Sequence, residues 1–163
     1  MVNPTQGEKF SIGQYVKTGQ ILFSALVFGQ LMFMLVVIYL VQIQGIRYNG
    51  NELNEMYLYA APIITVFCLI FGFTLYKGKL KKIKEKKHLY EKLADYRSAQ
   101  ILRWALLEGA SFFSIMAFLL TSNYLFIMIV GLIIGTFVLT IPSRMKFDSE
   151  LDLSWEEKNQ LSE

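Results

Sequence analysis

One cysteine, one histidine and three prolines are spread over 163 residues, and only 18% of the chain is charged. With Cys68 alone there is no disulfide framework and no thiol set spaced for a metal. With His88 alone, set among lysines, there is no histidine pair, no Ser–His partnership and no His-Glu-x-x-His helix, and a glycine-rich phosphate loop is missing as well. No catalytic set is therefore visible, and no cofactor or metal is expected. His88 reads as a hydrated surface residue.

Charge is also missing from long stretches. The charged residues gather at the termini and in one central segment of a chain that is 54% hydrophobic, with a mean hydropathy of +0.40. That is too apolar for an ordinary soluble domain. Four runs come near the roughly 20 apolar residues a membrane helix needs: 21–42, 58–76, 101–121 and 124–141. The first is too long for the roughly 7–15-residue core of a cleavable signal and runs into Gln42–Gly45 with no small-x-small cleavage pattern. The expected fold is all-α, a single membrane domain 1–163 forming a polytopic four-helix bundle. Two helical hairpins, spans one with two and three with four, would build it.

Orientation follows from the lysines. Between the second and third spans, Lys77 to Arg97 holds eight lysines and one arginine against Glu85, Glu91 and Asp95, whereas the first loop has Arg47 beside Glu52 and Glu55. The positive-inside rule then places the 77–100 loop, both termini and the 142–163 tail in the cytoplasm of a bacterial inner membrane. Leu80, Ile83, Tyr90, Leu93 and Tyr96 recur at helical spacing, so the basic segment reads as two helices extended into a hairpin. Its lysines, Lys77–Lys92, serve as a topology signal and can also attract anionic lipid headgroups. No recognition module accompanies them, so nucleic acid is not an expected partner.

Turn chemistry marks the connections. Asn49-Gly50 favours a turn in the first loop, and Pro62 is expected in the first turn of the second helix, where its missing N–H costs least. Thr121-Ser122-Asn123 is short enough to force an antiparallel hairpin. Pro142 closes the fourth helix. Beyond it, LDLSWEEKNQL reads either as a short surface helix with Trp155 on its apolar side or as a frayed tail.

Each span carries two small residues four apart: Ala25 and Gly29, Cys68 and Gly72, Ala105 and Gly109, Gly131 and Gly135. Such pairs let helix backbones approach where lipid offers no hydrophobic drive. They point to a compact bundle, with Gly131 and Gly135 marking a tight contact inside it or between protomers. Spans one and three also align at an offset of eighty, ILFSALVFGQLMFMLVVIYL against ILRWALLEGASFFSIMAFLL, with seven identities in twenty. This reads as an internal duplication of parallel type.

One position breaks the likeness, Glu108 against Phe28. Five residues beyond Arg103, it lies roughly 7–8 Å further along the helix, where a carboxyl needs a partner, water or its own proton. Gln30, Ser111, Thr136 and Ser24, with Thr74, are expected at comparable depth and can hydrogen-bond it. Three readings stay open: a protonated glutamic acid tying helices together, a carboxylate that binds a proton or cation during transport, and a shallow side chain that reaches back to cytoplasmic water. The first makes the chain a structural or accessory subunit of an oligomer or larger complex, the second a small transporter or channel.

The string RWALLEGASFF, the amphipathic helix before it, the Thr-Ser-Asn hairpin and the tail SRMKFDSELDLSWEE resemble a family of small bacterial four-span membrane proteins without an assigned function. The likeness covers nearly the whole chain and implies the fold, not a chemistry. The duplicated proteolipid c subunits of rotary ATPases share four spans and a buried glutamate. Their carboxylate lies on the second helix of a hairpin, however, whereas Glu108 falls on the first, and the glycines here are sparse.

Overall fold

The computed structural model describes residues 12–43, 51–86 and 88–151, which form five α-helices: α1 (Ile12–Ile43), α2 (Asn51–Lys84), α3 (Leu89–Thr121), α4 (Leu125–Leu139) and α5 (Arg144–Leu151). Three of them, α1 to α3, are long and apolar enough to cross a membrane. At 32 to 34 residues each, they measure about 48–51 Å at 1.5 Å per residue, well beyond a hydrocarbon core of about 30 Å. In α2 the surplus is its lysine-rich end, where Lys and Leu are good helix formers and carry the helix on to Lys84. Pro62 consequently lies well inside α2, which begins at Asn51, and not in its first turn.

α4 differs. Its 15 residues reach about 22 Å. A sharp turn sets its start: Ser122 takes the left-handed conformation at φ 55°, its N–H bonds back to the Phe118 carbonyl at 2.7 Å, and α4 runs back along α3. α5 follows Pro142 and folds onto the bundle, burying Phe147 and Leu151. Residues 44–50, Lys87 and 152–163, and with them the Asn49-Gly50 turn and Trp155, lie outside the described residues.

α3 is the hub. It runs antiparallel to α2, with Tyr57 meeting Phe113 (ring centroids 5.8 Å apart) and Tyr76 meeting Tyr96 (6.4 Å). It is antiparallel to α4 through Phe118–Tyr124 (5.3 Å) and Trp104–Phe137 (6.4 Å). α1 lies parallel to α3 through Phe23–Trp104 (5.7 Å) and Phe33–Phe112 (5.1 Å). α2 packs far more extensively on α3 than on α1, so the hairpins are α2–α3 and α3–α4. The pairing of the first two spans into a hairpin is not what forms, because the short turn after Lys84 lets α2 and α3 zip along their whole length.

Three apolar clusters stack along the axis. One, at the lysine-rich end, unites Tyr15, Tyr76, Leu93, Tyr96 and Phe147. The next surrounds Trp104, Leu107 and Phe137. The last, toward the opposite end, holds Val37, Ala61, Ile115, Phe118 and Phe126. Ile63, Ile70, Met128, Leu132 and Leu139 point outward and are at least 64% exposed, an arrangement suited to hydrocarbon as the surrounding solvent.

Candidate functional site

The contacts of α1 with α3 keep one register. Phe23 meets Trp104, Phe33 meets Phe112, and the Tyr15 hydroxyl donates to the Leu93 carbonyl at 2.8 Å. These pairs are 78 to 81 residues apart, which sets Gln30 level with Glu108 to Ser111. The same offset of eighty relates the two similar spans, so the matched helices lie side by side in step.

Within that seam Gln30 is fully buried, and neither its Nε2 nor its Oε1 has a hydrogen-bond partner; the buried Ser111 Oγ has none either. Unsatisfied buried groups of this kind cost about 1–3 kcal/mol each. Glu108 stands one turn from both Trp104 and Phe112, the residues whose rings touch α1, so it occupies the α1-facing edge of α3. It is half-buried. Gln30 and Ser111 each donate and accept, and Glu108 accepts or, when protonated, donates. The set can hold water, a proton or a small cation. Among the described residues no three His, Cys, Asp or Glu side chains cluster as a metal site.

The other expected members do not join them. Ser24 and Thr74 are exposed, and the Thr136 hydroxyl spends itself on the Leu132 carbonyl at 2.9 Å. A residue not anticipated is Thr65 on α2, buried with its hydroxyl unpartnered. A lone Thr in an apolar run offers no signal of its orientation.

The small-residue pairs divide in the same way. Gly72 packs on Leu106, whose Cδ1 lies 3.6 Å from where a Cβ would stand, so the Cys68 and Gly72 pair serves the α2–α3 contact. Ala25, Ala105, Gly29, Gly109, Gly131 and Gly135 are all exposed, and nothing lies within 4 Å of a Cβ built on any of those four glycines. These three pairs therefore do not close the bundle. The small residues buried inside it include Ala61, Ala110, Ser114 and Ala117 instead. Spacing of four fixes that two residues share a face; it does not say which way the face turns.

The densest polar chemistry lies at the lysine-rich end. Glu150 of α5 accepts hydrogen bonds through Oε2 from the hydroxyls of Tyr76 (2.5 Å) and Tyr96 (2.6 Å). The Arg103 guanidinium lies over the Tyr76 ring, 3.9 Å from its centre, and that of Arg97 over Tyr15 at 4.5 Å. Lys146 donates to the Leu139 carbonyl at 2.5 Å and so caps the end of α4. Trp104 donates to Thr140 at 3.1 Å. In the turn before α3, Lys86 bridges Asp95 (2.9 Å) and Glu91 (3.4 Å). Its hydrogen bond to Asp95 leads the influences that raise the lysine above its ordinary pKa.

The fold thus defines an all-helical protein with three helices fit to span a membrane. No family model, no curated protein and no solved structure matches the chain.

Proposed function

We propose that this chain is a four-span protein of a bacterial inner membrane with both termini in the cytoplasm, acting as a structural or accessory subunit. The carrying observation is that the Ala25/Gly29, Ala105/Gly109 and Gly131/Gly135 faces look outward, with open space over every glycine. They are spare surfaces for a second copy or for another membrane helix. In this reading α4 completes the crossing with help from its flanking residues, and the parallel, in-step packing of α1 and α3 is the trace of a duplicated span. The lysines of the 77–92 segment fix orientation and attract anionic headgroups. The resemblance to functionally unassigned four-span bacterial proteins is consistent with all of this.

Gently solubilised native membranes test the reading. Wild type is expected to migrate as an assembly heavier than one chain, and the double substitution Gly131→Leu with Gly135→Leu is expected to shift it toward the single-chain mass. Wild type at single-chain mass would contradict it.

A second reading draws on the unpartnered Gln30 and Ser111 beside Glu108. It makes the α1–α3 seam a proton or cation site in a small transporter. Infrared difference spectra across a pH series would carry a titrating carboxyl band lost in Glu108→Gln. A band that stays protonated throughout leaves Glu108 as a structural hydrogen-bonding group.

A further inference from the structure

A groove of ≈ 300 Å³ opens between α1 and α3 at the lysine-rich end, lined by Gln14, Tyr15, Lys17, Thr18, Ile21 and Arg97. It sits where charged sequence gives way to apolar sequence, for Lys17 is the last charged residue of α1. Its floor is fixed. Tyr15 is buried, its hydroxyl is tied to the Leu93 carbonyl at 2.8 Å, and its ring carries the Arg97 guanidinium 4.5 Å from the centre. The arginine is thereby held in place from α3 while Lys17 approaches from α1. Among the described residues no carboxylate lines the groove, and Lys17 makes no ion pair with any of them. The nearest acids along α3, Glu91 and Asp95, are engaged by Lys86.

Two cations from different helices line one recess, and phosphate oxygens suit a guanidinium paired with an ammonium. The surroundings narrow the ligand further. Ile21, at the lower edge, is 63% exposed and leads onto the exposed Leu22 and Phe28 of the same helix. The recess is thus cationic at its head and continues as an apolar track down the outside of α1. A free phosphate has no use for that track; a phospholipid has.

We infer that the Lys17–Arg97 groove binds the phosphate of an anionic phospholipid, with an acyl chain lying along the outer face of α1. This rests on the membrane reading, which alkaline carbonate extraction checks first: a chain released by carbonate would defeat that reading before any lipid is added. The site is distinct from the solvated lysines at the end of α2, which make a diffuse field and not a recess.

The test titrates the detergent-solubilised full chain with phosphatidylglycerol or phosphatidylcholine and counts bound lipid by native mass spectrometry. Phosphatidylglycerol is expected to bind in preference. Lys17→Gln and Arg97→Gln should each weaken it about fivefold, the worth of one basic residue at a lipid surface. Lys81→Gln with Lys82→Gln should leave it unchanged, and an excess of inorganic phosphate should not displace it. Should Arg97→Gln misfold, Lys17→Gln alone decides, since that side chain is exposed. An equal loss in the Lys81/Lys82 variant, efficient displacement by inorganic phosphate, or no preference between the lipids would each overturn the proposal.

Discussion

At the lysine-rich end of the molecule the tyrosine hydroxyls and Glu150 answer one another and the arginines lie on rings, with the buried Arg103 Nε left without a hydrogen bond, whereas the α1–α3 seam leaves both Gln30 and Ser111 open. Glu150 takes two tyrosine hydroxyls, Tyr15 reaches a carbonyl, and both arginines lie on aromatic rings. A few turns away, Gln30 and Ser111 are fully buried with no partner. The difference separates two jobs. A satisfied network fixes a fold, and an unsatisfied one is retained at a cost that stability alone does not explain.

Substitutions at the two places should act with opposite sign, the strongest at α5. Phe147→Ala removes the ring that joins α5 to Tyr15 and Tyr96, and should cost about 3 kcal/mol, measured as a fall in the denaturation midpoint in detergent. Glu150→Ala strands two tyrosine hydroxyls and should cost about 1–3 kcal/mol. Glu150→Gln, which keeps an acceptor oxygen, should recover part of that. The sign reverses in the seam. Gln30→Leu removes a buried, unsatisfied amide and should raise stability by about 1 kcal/mol. A strong loss there would mean that the seam is already satisfied and that the contrast is false.

The smallest change is expected at Lys86, an exposed bridge whose removal should leave the midpoint within error. Its pKa is raised by the bond to Asp95 and then by Glu91. The bridge therefore contributes fully below the ordinary lysine pKa and fades only as pH climbs through the raised value. A melting series around neutral pH should be flat with respect to this group.

Much of the architecture was legible from the residues. Uncharged runs located the long helices, Thr121-Ser122-Asn123 marked the tight hairpin, and helical spacing of Leu80, Ile83, Leu93 and Tyr96 anticipated a hairpin at the basic segment. Partner choice was not legible. Nothing in an apolar alphabet says that α1 and α2 scarcely meet, because leucine against leucine and leucine against lipid cost nearly the same. The outward turn of Gly131 and Gly135 was hidden for the same reason. Depth counting, which works along a helix axis, put Gln30, Ser111 and Glu108 at one level, and the register of α1 on α3 agrees with that. Ser24 and Thr74 turn outward and Thr136 bonds within its own helix, because depth is silent on azimuth. The clasp of Tyr76 and Tyr96 by Glu150 needed three helices to converge, and no local pattern encodes that.

The most direct test of the account is position-resolved cysteine cross-linking in native membranes, in a Cys68→Ser background. Gly135→Cys on the open face of α4 is expected to give an adduct heavier than one chain, while Ile133→Cys, on the fully buried face of the same helix, is expected to give none. Adducts absent from Gly135→Cys, or equally strong from both positions, would contradict the assignment of the outward small-residue face to assembly.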